Sequence, residues 1–361
     1  MLQSGIQSSI TQAPATYARR HRRVAAWLLA CAALVFATFV VGGVTRLTHS
    51  GLSIVEWQPL VGAIPPLGDP DWQQLFAKYR RTPEFRAVNF DMDLAGFKRI
   101  FWWEYVHRLL GRGIGAAFLL PMLWFLWRGS IDRPLAWRLA GVFVLGGLQG
   151  AMGWYMVSSG LVDDPRVSHF RLTAHLGLAL LIFAALLWLA FDLLQRERTG
   201  APAPPGLRRI AGALAGLLFL MALSGGFVAG LRAGRAYNTF PLMNGHIVPP
   251  EILMLEPWWM NFLYNMATVQ FVHRSIAWLL AFAVPMLWWL AMRVKLAARA
   301  RLACHLLLGA LAAQFALGVA TLLHGVPVAL GAAHQAGALI VFAIALWATH
   351  ELHGPPERSP A

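Results

Sequence analysis

Eight separate stretches of this chain are each long and apolar enough to cross a bilayer. A helix needs about 20 apolar residues to span the hydrocarbon core. The stretches 24–44, 101–127, 137–157, 170–194, 210–231, 263–292, 302–323 and 328–349 all meet that length. Lipid offers no partner to backbone N–H and C=O groups, so each stretch must satisfy its own as a helix. Composition agrees, with 58% hydrophobic and only 13% charged residues, where a soluble domain carries about 25% charged. A soluble globular chain is thereby excluded, and so is a disordered one, which would be polar and poor in aromatics. The run from Val24 to Val44 exceeds a signal-peptide core of about 7–15 residues, and no small-residue cleavage site follows it. The fold class expected is an all-α integral membrane protein.

The formal net charge of +14 invites a nucleic-acid reading until its residues are placed. Arg19, Arg20, Arg22 and Arg23 precede span one, and Arg128, Arg133 and Arg138 lie between spans two and three. Arg196, Arg198, Arg208 and Arg209 lie between spans four and five; Arg293, Lys295, Arg299 and Arg301 between six and seven. With alternating helices all these segments fall on one side, and short basic loops face the cytoplasm. Both termini are therefore expected in the cytoplasm, and the charge is a topology signal with no nucleic acid involved. Cys31 and Cys304 each lie inside a span, so neither a disulfide framework nor a C-x-x-C-H attachment site is present.

The chain also repeats itself. Val41-Gly42-Gly43-Val44 ends span one and Ser224-Gly225-Gly226-Phe227 ends span five. Glu104-Tyr105-Val106-His107-Arg108 in span two matches Gln270-Phe271-Val272-His273-Arg274 in span six. Gln149 to Gly153 in span three matches Gln314 to Gly318 in span seven, and His175 in span four matches His334 in span eight. The order is kept throughout, which marks a duplication. The expected organisation is a cytoplasmic tail 1–23, a four-helix half 24–194, a linker 195–209, a second four-helix half 210–349 and a tail 350–361. Both halves start on the cytoplasmic side, so the two bundles are pseudo-symmetric about an axis along the membrane normal.

Ionisable groups inside a span are costly and usually mark function. His107, His175, His273 and His334 sit near the outer ends of the even-numbered spans, one pair per half. Two facing imidazoles on bundle helices can ligate a haem iron, whereas a catalytic zinc needs three protein ligands. A lone intramembrane histidine more often makes a helix–helix hydrogen bond; a duplicated pair at matched depth favours iron. Arg108 and Arg274 follow their histidines, where they could hold porphyrin propionates or simply snorkel to the interface. The halves differ where Glu104 faces the neutral Gln270. Glu104 could handle protons beside a haem or bridge Arg108 at i+4. The first half is then the reactive one, and the second a stable bis-histidine site.

His21, His49, His169, His246, His305, His324, His350 and His353 form no matched pair and are read as solvated or interfacial. The outer segment 45–100 is too long for a plain connection. Trp72, Leu75, Phe76 and Tyr79, then Leu94, Phe97 and Phe101, are spaced as two short amphipathic helices at the outer interface. Segment 232–262 is its equivalent in the second half.

At these residues the chain resembles the haem A synthase family. The resemblance spans about 24–350 and rests on the Glu-x-x-His-Arg of span two, the His-Arg of span six and the later histidines. Gly43-Val44-Thr45-Arg46-Leu47-Thr48 through Ser53, Trp57, Pro59 and Gly62 contributes, as does Asn238-Thr239-Phe240-Pro241-Leu242-Met243. The resemblance implies oxidation of the C8 methyl of haem O by successive hydroxylations, with loss of water leaving the formyl group of haem A. It implies that His273 and His334 ligate a haem b cofactor, with Arg274 beside it. It further implies that His107 and His175 bracket the substrate haem beside Arg108, with Glu104 essential nearby. The lipid-embedded chain would sit in a bacterial inner membrane, with haem O synthase and cytochrome oxidase assembly factors as pathway partners. Self-association as a homo-oligomer is compatible with this. Some members carry a cysteine pair in the first outer loop; this chain has none there and resembles the mitochondrial and proteobacterial branch. The alternatives are a di-haem b-type cytochrome that only transfers electrons, and a transporter with proton-carrying histidines near midplane. The outward position of the histidines counts against the transporter.

Overall fold

The computed structural model describes residues 2–58, 61–162, 164–195 and 202–354. Pro59, Arg196, Arg198 and the chain beyond Gly354 lie outside the described residues. Eleven α-helices follow in order: α1 (Leu2–Leu47), α2 (Asp69–Tyr79), α3 (Pro83–Ala87), α4 (Leu94–Trp127), α5 (Arg133–Ser158), α6 (His169–Gln195), α7 (Pro205–Gly230), α8 (Asn261–Tyr264), α9 (Met266–Met292), α10 (Ala298–Leu323) and α11 (Val328–His353). All except α2, α3 and α8 are long and apolar enough to span a membrane, which gives eight spans. The chain is an all-α, multi-span membrane protein.

Local chemistry sets the helix starts. Asp93 accepts from the Gly96 N–H at 2.7 Å and Asp132 from that of Leu135 at 2.9 Å. Asn265 does the same for Ala267 at 2.8 Å. These caps satisfy donors that the first helical turn leaves without partners. α1 starts at Leu2, so the residues expected as a tail before span one continue its helix.

One expectation needs correction. Leu94, Phe97 and Phe101 do not belong to a separate interfacial helix; they are the first turns of α4. α2 does form where expected, and its Trp72 and Tyr79 pack on Phe97, Phe101 and Tyr105 in a buried aromatic cluster. The apolar spacing was the same in both segments. What differs is that Asp93 caps a helix which then runs unbroken through Glu104 and His107.

The eight spans close into two rings. α1 packs on α4 and α6, and α5 joins α4 to α6; in the second half α7 packs on α9 and α11, and α10 joins those two. The rings meet through α6 against α7, α1 against α11, and α6 against α11. At this meeting the Gln335 side-chain amide donates to the Phe39 carbonyl at 2.8 Å, and Arg46 donates to the Ala229 carbonyl. The main apolar core runs along these helices, through residues such as Leu28, Leu186, Leu214 and Leu339.

Candidate haem sites

Each of the four histidines rests against a glycine of the preceding span. A Cβ added at Gly42 would fall 2.6 Å from Cε1 of His107, and one at Gly153 would fall 3.0 Å from Cε1 of His175. In the second half the same distances are 3.4 Å from Gly225 to His273 and 2.8 Å from Gly318 to His334. The absence of a side chain lets an imidazole lie flat on a neighbouring helix, which is the close approach glycine permits. The two histidines of each half stand on α4 and α6, which α1 and α5 link, and on α9 and α11, which α7 and α10 link.

A glutamine lies beside the later histidine of each pair. The Gln314 amide is 3.1 Å from Nδ1 of His334 and donates to the His334 carbonyl at 2.8 Å. The Gln149 amide is 3.4 Å from Nε2 of His175. Ser224 Oγ is 2.8 Å from Nδ1 of His273. Nδ1 of His107 and Nδ1 of His175 are buried with no partner among the described residues.

Glu104, 3% exposed, is the most heavily bonded side chain near the first pair. Its Oε2 accepts from the Ser53 N–H at 2.7 Å, the Ser53 hydroxyl at 2.7 Å and the Ile54 N–H at 2.9 Å. Its Oε1 accepts from Nη2 of Arg108 at 2.6 Å and Nε at 3.1 Å. Arg108 also donates to the carbonyls of Ile54 and Glu56. The salt bridge at i+4 is therefore present, and the pair clamps the start of the outer loop. Gln270 and Arg274 repeat the clamp without the carboxylate. Gln270 donates to the Tyr237 carbonyl at 3.1 Å, and Arg274 donates to the carbonyls of Tyr237 and Thr239 at 2.8 Å each. Both arginines thus give terminal donors to loop carbonyls, and Nε of Arg274 is buried with no partner among the described residues.

Aromatic side chains from the loops cover the site region. Trp57 stacks on Trp154, next to Gly153, with centroids 5.9 Å apart, and Phe240 stacks on Trp278 at 5.8 Å. Deeper in the first loop Tyr79 donates to Glu84 at 3.0 Å, and Asn89 donates to the Tyr79 hydroxyl at 2.7 Å. Burial pushes the Glu84 carboxyl up to about 7, against a weaker opposing effect of the Tyr79 hydrogen bond. His49 at the outer surface is pushed down, first by burial and then by Arg232, Arg46 and Arg235.

The remaining histidines stay apart from these pairs. His350 bonds Asp192 at 2.9 Å, His305 accepts from Trp288 at 2.9 Å, and His353 contacts the Thr349 carbonyl. The sequence reading assigned no role to Gly153, Gly318, Gln149, Gln314 or Ser224, although all lie within the repeat. The signal was present: Gln149 and Gly153, like Gln314 and Gly318, are four residues apart and share a helix face.

The donor set fits a haem. Each half offers two imidazoles from helices that stand across its four-helix ring, and among the described residues no group of three His, Cys, Asp or Glu lies together. A macrocycle that brings its own equatorial nitrogens needs only two protein ligands, and the partnerless ring nitrogens belong to groups of that kind. Fold and histidines together describe a multi-span membrane protein with eight spans among the described residues and a histidine pair in each of its two helix rings. Residues 25–346 match the family model described as cytochrome oxidase assembly protein. The haem A synthase of Nitrosospira multiformis is 61% identical over 91% of this chain and 93% of its own length. That of Nitrosomonas eutropha is 55% identical over 93% of this chain and 95% of its own. That of Rhodospirillum centenum is 48% identical over 97% and 94%. The chain belongs to the haem A synthase family.

Proposed function

We propose that the chain is a haem A synthase in which the second half holds haem b and the first half holds the substrate, haem O. It is an oxidoreductase of haem A biosynthesis in cytochrome oxidase assembly, and the names of its relatives favour this over a cytochrome that only carries electrons. The observation that carries the division of labour is the repeated histidine-on-glycine pair, with a buried glutamate–arginine ion pair in the clamp of one half and a glutamine in place of the glutamate in the other. His273 and His334 would hold the haem b iron, which supplies one-electron chemistry when bound. His107 and His175 would hold the iron of haem O while its C8 methyl is oxidised to a formyl group. Glu104 stands three residues before His107, on the same helix face. Since five hydrogen bonds converge on its carboxylate, any proton it takes must displace one of them. Arg108 and Arg274 would meet propionates only by exchanging loop carbonyls for carboxylates, which form the stronger, charge-assisted bonds. The chain would lie in a bacterial inner membrane with both termini in the cytoplasm, receiving haem O from its synthase.

Chromatography of haems extracted from the purified protein tests this reading. Haem b together with haem O or its oxidised products is expected. Replacing His273 or His334 by Met should remove haem b, and Glu104→Ala should stop product formation with haem b still bound. Haem b alone in equal amounts in both halves, with no turnover of haem O, overturns the reading.

A further inference from the structure

We propose that Ser224 is a positioning residue that fixes His273 as a permanent axial ligand, and that Val41 at the matching place leaves the first half's pair exchangeable. The inference rests on the assignment of haem b to His273 and His334 above.

Ser224 Oγ has one proton and two contacts at 2.8 Å, the Met221 carbonyl and Nδ1 of His273. A carbonyl can only accept, so the hydroxyl proton goes to Met221 and the Ser224 oxygen accepts from Nδ1–H. The opposite arrangement would press two lone pairs together at the Met221 carbonyl. The proton of His273 is therefore on Nδ1, and Nε2 presents its lone pair. That is the state an iron ligand requires, and a partner on the other ring nitrogen both sets the tautomer and raises the ligand's basicity.

The first half lacks this device. Gly42 and Gly225 occupy the same place in the repeat, each against the histidine of the next span. The residue before Gly225 is Ser224; the residue before Gly42 is Val41, which has no polar atom to offer. Accordingly Nδ1 of His107 is buried with no side-chain partner among the described residues, and the polar group beside its ring is the Thr38 backbone carbonyl. The later histidines do not repeat the contrast: the Gln314 amide nitrogen, a donor, faces Nδ1 of His334, and the Gln149 amide nitrogen faces Nε2 of His175, so neither glutamine accepts from an imidazole N–H as Ser224 does. Nδ1 of His175 likewise has no side-chain partner among the described residues. A resident cofactor needs ligands locked in one state. A substrate that must leave as product is served by ligands that are not.

The test exchanges the two residues in the full-length protein and reads haem binding in place of turnover. Ser224→Val should speed transfer of haem b to excess apomyoglobin about 10-fold or more. It should also raise the haem b midpoint potential, because a less basic imidazole stabilises ferric iron less. Ser224→Thr, which keeps the hydroxyl, should restore both. Val41→Ser should slow release of loaded haem O by about 10-fold. If Ser224→Val binds haem b with unchanged release rate and potential, or Val41→Ser leaves haem O release unchanged, the positioning role is wrong while the haem assignment stands. If the unaltered protein carries no haem b at His273 and His334, the underlying assignment fails instead.

Discussion

At the scale of single residues, the glycines beneath the histidines make a graded prediction. At Gly318 an added methyl would meet the His334 ring at 2.8 Å, closer than real contacts allow, whereas at Gly225 the clearance to His273 is 3.4 Å. Gly318→Ala should therefore push His334 aside and lower the haem absorbance per chain after purification, and Gly225→Ala should leave it nearly unchanged. Equal absorbance in the two variants would refute this. The clamps make a second prediction. Removing Arg108 strands a carboxylate that is 3% exposed, and breaking such a buried pair costs about 3–5 kcal/mol. Removing Arg274 strands no charge and gives up guanidinium bonds to loop carbonyls that are exposed or only partly buried, so it should cost less. Thermal unfolding in detergent should thus show Arg108→Ala as clearly less stable than Arg274→Ala, and the reverse order would count against the charged clamp. The four histidines and Glu104 were legible in the sequence because the repeat singled them out. Ser224 and Gln149 were not, because a serine or glutamine in a span gains meaning only when the ring nitrogen it reaches is known.

Among the elements, the first outer loop has its own acid–base behaviour. Glu84 on α3 is pushed up to about 7 by burial, with the Tyr79 hydroxyl, Asn89 and the fields of Glu104 and Arg232 around it. A carboxyl raised in the folded state binds more protons there than in the unfolded state. Its contribution to loop stability is then fully present below the usual carboxylate range and is lost as pH rises through about 7. Amide exchange across α2 and α3 should be slower at pH 5 than at pH 8 after correction for intrinsic rates. Glu84→Gln should flatten that difference; a loop equally protected at both pH values in the unaltered protein would refute it. The spans themselves were readable from length and hydropathy, since lipid leaves a polar backbone no alternative to the helix. The beginning of α4 was not, because periodicity alone cannot say whether an apolar patch ends in a turn or runs on into the next helix.

For the whole molecule, the basic segments predict an orientation that reporter fusions can check. A reporter active only outside the cytoplasm should be active when fused after Phe90 or Gly245 and inactive after Gly129 or Lys295; any reversal would overturn the orientation. The duplication was legible as ordered motifs, but the way the copies meet was not. Gln335 and Arg46 have no counterparts in the repeat, and their bonds to Phe39 and Ala229 cross between the halves. This meeting of the halves bears on how the molecule can evolve. α1, α6, α7 and α11 form a shared wall, so a change of volume there is felt by both copies and is purged twice over. α4, α9 and the loops they clamp each serve one copy and can drift without disturbing the other. Divergence should therefore be freer at the rims than in the wall, where Ser224 of α7 nevertheless stands at the place of Val41 in α1. At the rims the glutamate of one copy stands opposite the glutamine of the other, and a loop carrying α2 and α3 stands opposite one whose only α-helix is the four-residue α8.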